Sequence, residues 1–355
     1  MRTVGVEEEL LLVNPETGAP VAVAGSVLAG ADGLEAELQQ QQIEIGTEPC
    51  TSLAELADQL RYWRSKAAAA AVRAGALIVA TGTSPVPVVP EVTVKPRYQA
   101  MVKTYGLTTA EQLTCGCHVH VGVDSPEEGV AVLDRIRIWL PVILALTANS
   151  PYWQGVDSGY ASFRSQAWTR LPTAGPTDAF GSAEHYHAEV DRLLRTGVAQ
   201  DPGMIYFDAR LSHHLPTVEI RIADVCLYRD DSLLVAALVR ALVETAARDW
   251  RAGAAAPAVA TSVLRLATWR AGRSGLDGDL LDPVHGTPLP ARQVLADLIE
   301  HVGEALAHGD DGAIVADLLE TVLDRGTGAV HQRRWLQQNH HLGAMVLRMA
   351  ELTTR

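Results

Sequence analysis

From Thr3 to Val13 apolar and polar residues alternate with a period of two, as in a strand whose successive side chains point to opposite faces. Val4, Val6, Leu10 and Leu12 share one face, and Gly5, Glu7, Glu9 and Leu11 the other. Glu8 breaks the pattern by falling on the apolar side, so it is expected near a sheet edge or against a cationic partner. Pro15 to Gly18 reads as a turn, and Val21 to Leu34 as irregular. A further strand around Ile43-Glu44-Ile45 places Glu44 on the face of Gln42 and Gly46. The stretch from about Glu111 to Val123 sets Thr114, Gly116, His118, His120 and Gly122 against Cys115, Cys117, Val119, Val121 and Val123. Thr217 to Asp224 turns Val218, Ile220 and Ile222 inward, with Glu219 and Arg221 opposite. Ala76 to Thr81 and Met204 to Arg210 read as additional strands.

The period changes to that of a helix after Ser52-Leu-Ala-Glu55, a capping box followed by a Leu53, Leu56, Leu60, Trp63 stripe that runs toward Gly75. A proline-rich loop, Pro85 to Pro96, precedes a short helix from about Arg97 to Tyr105. Ser125-Pro-Glu-Glu128 caps a helix that continues to about Ala148 and should kink or break at Pro141. Ser182 to Arg195 is helical, and beyond Arg229 helices are expected at about 230–251, 260–271, 289–307, 311–325 and 328–352, with Gly275 to Pro290 as the main interruption. Asn149 to Asp178 has no periodicity but holds Arg164, Arg170, Trp153 and Trp168; long loops of this kind are often functional. The order of elements predicts one α+β domain over residues 1–355, with a mostly antiparallel sheet first and helices packed on one side of it.

Composition narrows the function. A formal charge of −13 and a pI near 5.4 argue against a general nucleic-acid binder. The cysteines, Cys50, Cys115, Cys117 and Cys226, make no disulfide framework and no CxxC pair, which implies a reduced, cytoplasmic setting. Glu7, Glu8 and Glu9 stand where a signal peptide would have its apolar core. The apolar run from Ile138 to Ala148 is too short for a membrane span and contains Pro141.

Cys115-Gly-Cys-His118-Val-His120 invites a zinc reading, but strand alternation turns the thiols and imidazoles apart. What remains is a histidine pair flanked by glycines, which suggests that something approaches that backbone closely. Four strands thus each present acids or imidazoles on one face: Glu7 and Glu9, Glu44, His118 and His120, and Glu219 with Arg221. Clustered carboxylates repel one another unless cations neutralise them, and mostly oxygen ligands with an imidazole suit Mg²⁺ or Mn²⁺ better than zinc. There is no Walker A motif and no usable GxGxxG, so a nucleotide would have to be held by metals and arginines on the sheet.

The succession G-V-E-E-E-L, E-x6-E-I-G-T-E-P, T-C-G-C-H-V-H-V-G, Y-A-S-F-R-S-Q-x-W with P-T-A-G-P, and T-V-E-I-R-I-A-D resembles the family-2 glutamate–cysteine ligases, or YbdK-type carboxylate–amine ligases, over essentially the whole chain. The resemblance implies a glutamine-synthetase-like fold, an antiparallel sheet forming an open funnel. It also implies ATP-dependent ligation, in which a carboxylate is phosphorylated and an amine then displaces phosphate; the parent substrates are glutamate, through its γ-carboxylate, and cysteine. Carried across by motif, the metal ligands would be Glu7, Glu9, Glu37, Glu44, His118 and Glu219, with Mg²⁺ or Mn²⁺ as the ion. Arg221 would contact the transferring phosphoryl, Arg164 would grip substrate carboxylate or phosphate, and His120 would serve as an outer-shell or nucleotide contact. Expected partners are a small carboxylate, an amine and ATP, with neither nucleic acid nor membrane, and a homodimer is the option for assembly. The rival readings are the same chemistry on another acid and amine, a metal-dependent hydrolase built on His118-x-His120, and a non-catalytic metabolite sensor. The paired histidines His185 and His187, His213 and His214, and His340 and His341 are expected to be surface or structural residues.

Overall fold

In the computed structural model, which describes residues 1–355, the alternating segments meet in one seven-stranded sheet. Its strands are β1 (Val4–Val13), β2 (Leu34–Ala36), β3 (Gln42–Gly46), β4 (Leu77–Val79) and β5 (Gly116–Gly122). A small separate hairpin follows, β6 (Tyr152–Trp153) with β7 (Val156–Asp157), before β8 (Ala209–Leu211) and β9 (Thr217–Asp224) complete the sheet. The order is β2-β3-β1-β5-β9-β8, every pairing is antiparallel, and β4 pairs with the end of β1.

Alternation sorts the two faces as expected. Val4, Val6, Cys117, Val119, Val121, Val218, Ile220 and Ile222 are buried in the larger core. The helices Leu53–Arg73, Pro126–Ile136, Leu140–Thr147 and Arg229–Arg251 pack against the sheet there. Leu10, Leu12, Ile43 and Ile45 belong to a second core closed by Met345, Val346 and Met349 from the C-terminal helix. No helix is long and apolar enough to cross a membrane.

Several boundaries differ from the sequence reading, each for a local reason. The segment Val21 to Leu34 holds a one-and-a-half-turn helix, Ala24–Ala29. The break expected at Pro141 does occur: the helix after Ser125 divides into Pro126–Ile136 and Leu140–Thr147, because proline, lacking an N–H, suits a first turn better than an interior. The last predicted helix also divides: His340 takes a left-handed conformation (φ 52°), and His341 Nδ1 then caps the next helix by accepting from Ala344 N at 3.1 Å. β5 starts only at Gly116, so Cys115 lies outside it and packs with Leu113, Tyr152 and Val225, apart from Cys117. Met204 to Asp208 is not paired with β9 as a full strand; Thr173 Oγ1 donates to Met204 O at 2.6 Å, and Asp208 N donates to Gly175 O at 3.1 Å. The long Asn149–Asp178 segment therefore acts as a strap, holding the approach to β8 against the sheet and carrying one short helix, Arg164–Trp168.

Candidate active site

The polar face of the sheet is assembled by register. Glu7 on β1 stands opposite His118 on β5 and Gly46 on β3, and Glu9 stands opposite Glu44. His120 faces Gly5 on one side and Glu219 on the other. Between Cys117 and Val119 the β5–β9 register shifts, a bulge opposite His118 that re-aims the Arg221 segment. Across the sheet this brings Glu7, Glu9, Glu37, Glu44, His118, His120, Glu219 and Arg221 to the wall of one cavity of about 450 Å³.

Two acid–imidazole groups emerge, Glu7 with Glu44 and His118, and Glu7 with His120 and Glu219; in each, the potential ligand atoms lie within 4.8 Å of one another. Glu7 belongs to both. His118 Nδ1 lies 3.3 Å from Glu7 Oε2, and because a carboxylate only accepts, Nδ1 carries the proton. Burial, aided by the Arg221 guanidinium, pushes the His118 imidazolium down to about 4, so the ring is neutral at pH 7. Its Nε2, and that of His120, are buried without a hydrogen-bond partner. A lone pair left free on a neutral ring beside carboxylates is the donor a divalent cation uses.

The carboxylates are electrostatically crowded. Burial raises Glu9 to about 7, with the neighbouring Glu37 adding to it, although Glu9 Oε2 accepts the Gly116 N–H at 2.5 Å. Glu44 is likewise pushed well above the usual range by burial, and then by Glu37 and Glu7. For Glu7 and Glu219 burial acts in the same direction but is overcome. The hydrogen bond from His118 and the nearby His120 ring hold Glu7 low, and Arg221 and Arg210 hold Glu219 low. Arg210 grips Glu219 with two bonds, Nε to Oε2 at 2.7 Å and Nη2 to Oε1 at 3.1 Å, and Arg221 Nη1 donates to the same carboxylate. A hard divalent cation fits this donor set, since it would relieve the crowding at Glu9 and Glu44 and engage the two free imidazole nitrogens.

Arg164 is placed differently from what the motif implied. It is 1% exposed, lies behind the cavity wall, and donates to the carbonyls of Ile222 at 3.2 Å and Arg221 at 3.3 Å. A Cβ on Gly116 would come within 2.3 Å of Arg164 Nη2, so the group that approaches the glycine-flanked strand is this guanidinium. Trp168 lies between the two arginines, its ring 5.2 Å from Arg164 Cζ and 5.9 Å from Arg221 Cζ. Arg170 pairs with Glu111 near the surface, and His214 stands exposed at the cavity rim.

Sequence reasoning passed over Arg210 and Asp208. Both alternate onto the polar face at the approach to β8, and pairing this segment with Thr217–Asp224 through the intervening turn would have set Arg210 opposite Glu219. Asp208 is buried, which raises its carboxyl to about 7 despite the Arg164 charge.

A second, larger cavity of about 810 Å³ meets the first at Glu7 and His120, and is floored by Gly5, Gly46 and Gly122. The acid–imidazole groups thus sit where two chambers join.

The profile of glutamate–cysteine ligase family 2 matches residues 3–351. A protein of Streptomyces avermitilis, provisionally named glutamate–cysteine ligase 2-1, is 53% identical over 349 residues, covering 96% of each chain. Another, from Streptomyces coelicolor and provisionally named glutamate–cysteine ligase 2, is 51% identical over 98% of this chain and 97% of its own. Among solved structures, the Francisella tularensis glutamate–cysteine ligase in complex with AMP superposes with a TM-score of 0.71 at 14% identity, over 99% of this chain and 88% of that one. A bifunctional glutathione synthetase from Pasteurella multocida gives the same score at 17% identity, over 99% of this chain and 52% of that one. At such identities the structures speak for the fold, the open antiparallel funnel, while the family match and the close relatives exclude the hydrolase and sensor readings. The chain belongs to glutamate–cysteine ligase family 2 and is a carboxylate–amine ligase.

Proposed function

We propose that the chain, acting as one ligase domain, uses ATP to activate the γ-carboxylate of glutamate as an acyl phosphate and joins it to the amine of cysteine. The observation that carries this reading is the junction of two chambers at Glu7 and His120, with acid–imidazole groups and paired arginines around it. Phosphoryl transfer needs little covalent help from a protein; it needs in-line positioning of two anions and neutralisation of the charge between them. The larger chamber has the size for a nucleotide, and its glycine floor lets phosphates approach the strands closely. The smaller chamber, walled by Tyr98, Trp168 and Tyr206 beside Arg210 and Arg221, takes the acid.

Glu7, Glu44, His118, His120 and Glu219 would hold Mg²⁺ or Mn²⁺, with Glu9 and Glu37 completing the acidic wall. The ion's contribution is to offset the phosphate and carboxylate charges so that they can meet. Arg221, anchored through Glu219, presents its guanidinium to the transferring group and stabilises the equatorial oxygens. Arg210 keeps Glu219 and hence Arg221 in place. Arg164, too deep to touch substrate, positions Arg221 by binding its carbonyl and by backing Trp168.

ADP release and product mass, followed with ATP, Mg²⁺, glutamate and cysteine, test the reading, and panels of other acids and amines test the substrate pair. Formation of γ-glutamylcysteine with one ADP per bond is expected. ATP-independent product, or no ADP with any acid–amine pair, would overturn the mechanism.

A further inference from the structure

Far from the site, the helices Ala291–Gly309 and Gly312–Arg325 form a helical hairpin joined by Asp310 and Asp311, with Asp310 in the left-handed conformation (φ 58°). Val302 and Val322 turn inward to the larger core. Between the two helices runs an apolar groove of about 430 Å³, lined by Ile299, Leu306, Val315, Leu319 and Leu323. Gly303 and Gly312 also stand in its wall, and a Cβ built on either meets nothing within 4 Å, so the groove has room for a large side chain. Gly303 lies mid-helix, where glycine is disfavoured relative to alanine, and no contact within the chain requires its small size. The rims are acidic and exposed. Glu300 and Glu304 follow Ile299 and Gly303 by one position on one helix, and Glu320 lines the groove on the other, with Asp317 one turn before it. Asp311 and Asp324 nearby are paired with Arg240 and Arg292, but no cation of the chain reaches Glu300, Glu304, Asp317 or Glu320.

The Thr261–Ser274 helix carries the complement. It buries Leu264, Ala267, Thr268 and Ala271, and its helical period sets Arg265, Leu266, Trp269 and Arg273 on the opposite face, with Arg270 at the edge. Leu266 is 62% exposed and Trp269 47%, two large apolar side chains within one turn of each other. Arg265 and Arg270 beside them enter no ion pair. We propose that the groove receives this stripe from a second copy of the chain. Trp269 and Leu266 fill the space left open at Gly303 and Gly312, and Arg265 and Arg270 meet the unpaired acids of the rims, an amphipathic helix laid into an apolar groove. Two chains of formal charge −13 repel each other overall, so their association calls for local complementarity of this kind. The stripe helix and the groove both adjoin one small hairpin, β10 (Asp279–Leu281) with β11 (Pro288–Pro290). They therefore occupy neighbouring surfaces, and a two-fold axis beside the hairpin seats each stripe in the other copy's groove, closing the assembly as a dimer. The inference is independent of the ligase reading.

Sedimentation velocity over a range of concentrations tests it by exchanging the charges of the two surfaces. The parent chain is expected to reach twice its mass of 38.0 kDa. One variant, Arg265→Glu with Arg270→Glu, reverses the stripe; another, Glu300→Lys with Glu320→Lys, reverses the rims. Each alone sets like charges against each other and is expected to associate at least tenfold more weakly than the parent. Mixed in equal amounts they are expected to form the dimer again, because reversed stripe then meets reversed groove and native stripe meets native groove. That recovery also shows that both variants are folded. Gly303→Leu, which fills the groove without altering charge, is expected to weaken association as well. A parent that stays monomeric, a dimer that either charge variant leaves at full strength, or reversed variants that stay apart on mixing would overturn the proposal.

Discussion

Arg64, midway along the Leu53–Arg73 helix, reaches Glu8 beneath the sheet with Nε 2.7 Å from Oε2 and Nη2 2.6 Å from Oε1. Ser232 Oγ donates to Glu8 Oε1 at 2.6 Å, and the same guanidinium binds the carbonyls of Cys226, Leu227 and Thr353. This is the cationic partner that the misplaced acid on β1 required, and it lies in the interior, not at an edge. The pair also fixes which face Glu7 and Glu9 occupy, because a one-residue slip of β1 would bury them and expose Glu8.

Breaking that pair should be costly. Arg64→Met leaves Glu8 buried without its partner and is expected to destabilise the protein by about 3–5 kcal/mol, whereas Glu8→Leu combined with Arg64→Met should recover most of the loss. Urea unfolding of the three proteins checks this; a single variant within about 0.5 kcal/mol of the parent would contradict the buried-pair account.

Because Glu7 is shared by both acid–imidazole groups, Glu7→Gln should weaken Mn²⁺ binding more than His118→Ala or His120→Ala, each of which removes a donor from one group. Losses of at least tenfold are expected for each variant, on the scale of disturbed metal sites. Electron paramagnetic resonance of free Mn²⁺ during titration reads this directly. Full-strength binding in Glu7→Gln would remove Glu7 from the ligand set.

Gly116 should tolerate no side chain. An added Cβ would lie 2.3 Å from Arg164 Nη2 and 3.0 Å from His118 Nε2, so Gly116→Ala must displace the guanidinium that backs Arg221. Overpacking of this kind costs about 1–3 kcal/mol, and a lower kcat should accompany it. Gly25→Ala, in a helix with nothing within 4 Å of the new Cβ, is the matched control and should be neutral or stabilising.

The pH dependence of stability should report Asp208. Burial raises its carboxyl from the ordinary value near 3.8 to about 7 in the folded protein, with Arg164 opposing. The folded state therefore binds the proton more tightly than the unfolded chain, and stability is full below pH 4 and lost as pH rises toward 7. Asp208→Asn removes this term, so its stability relative to the parent should improve across that window by at most about 4 kcal/mol, at ~1.4 kcal/mol per pKa unit. Unfolding at pH 4, 5.5 and 7.5 would measure the trend; a constant difference between the two proteins would show that Asp208 does not titrate in this range.

Much of the site could be read along the chain because each contributing strand carries its acids and imidazoles at alternate positions, and alternation alone assigns a face. Glu7, Glu9, Glu44, His118, His120 and Glu219 all reach the cavity wall for that reason. Arg210 and Asp208 escaped notice because they share a strand face with Met204 and Tyr206, so alternation alone does not mark that face as polar. Arg164 had a motif around it, but a motif carries no depth, and its guanidinium lies behind the wall instead of on it.

The sequence by itself determined the faces of the strands, the capping and breaking of the helices, the family, and which residues carry charge onto one surface. These are properties of local periodicity and of residue order, and they need no knowledge of distant partners. Only the tertiary structure decided that Glu7 joins two groups, that Glu8 is satisfied by Arg64, and that Arg164 lies behind the cavity wall. Each of these depends on inter-strand register or on contacts between residues far apart in the chain, where a shift of one residue or of a few ångströms changes which atoms meet.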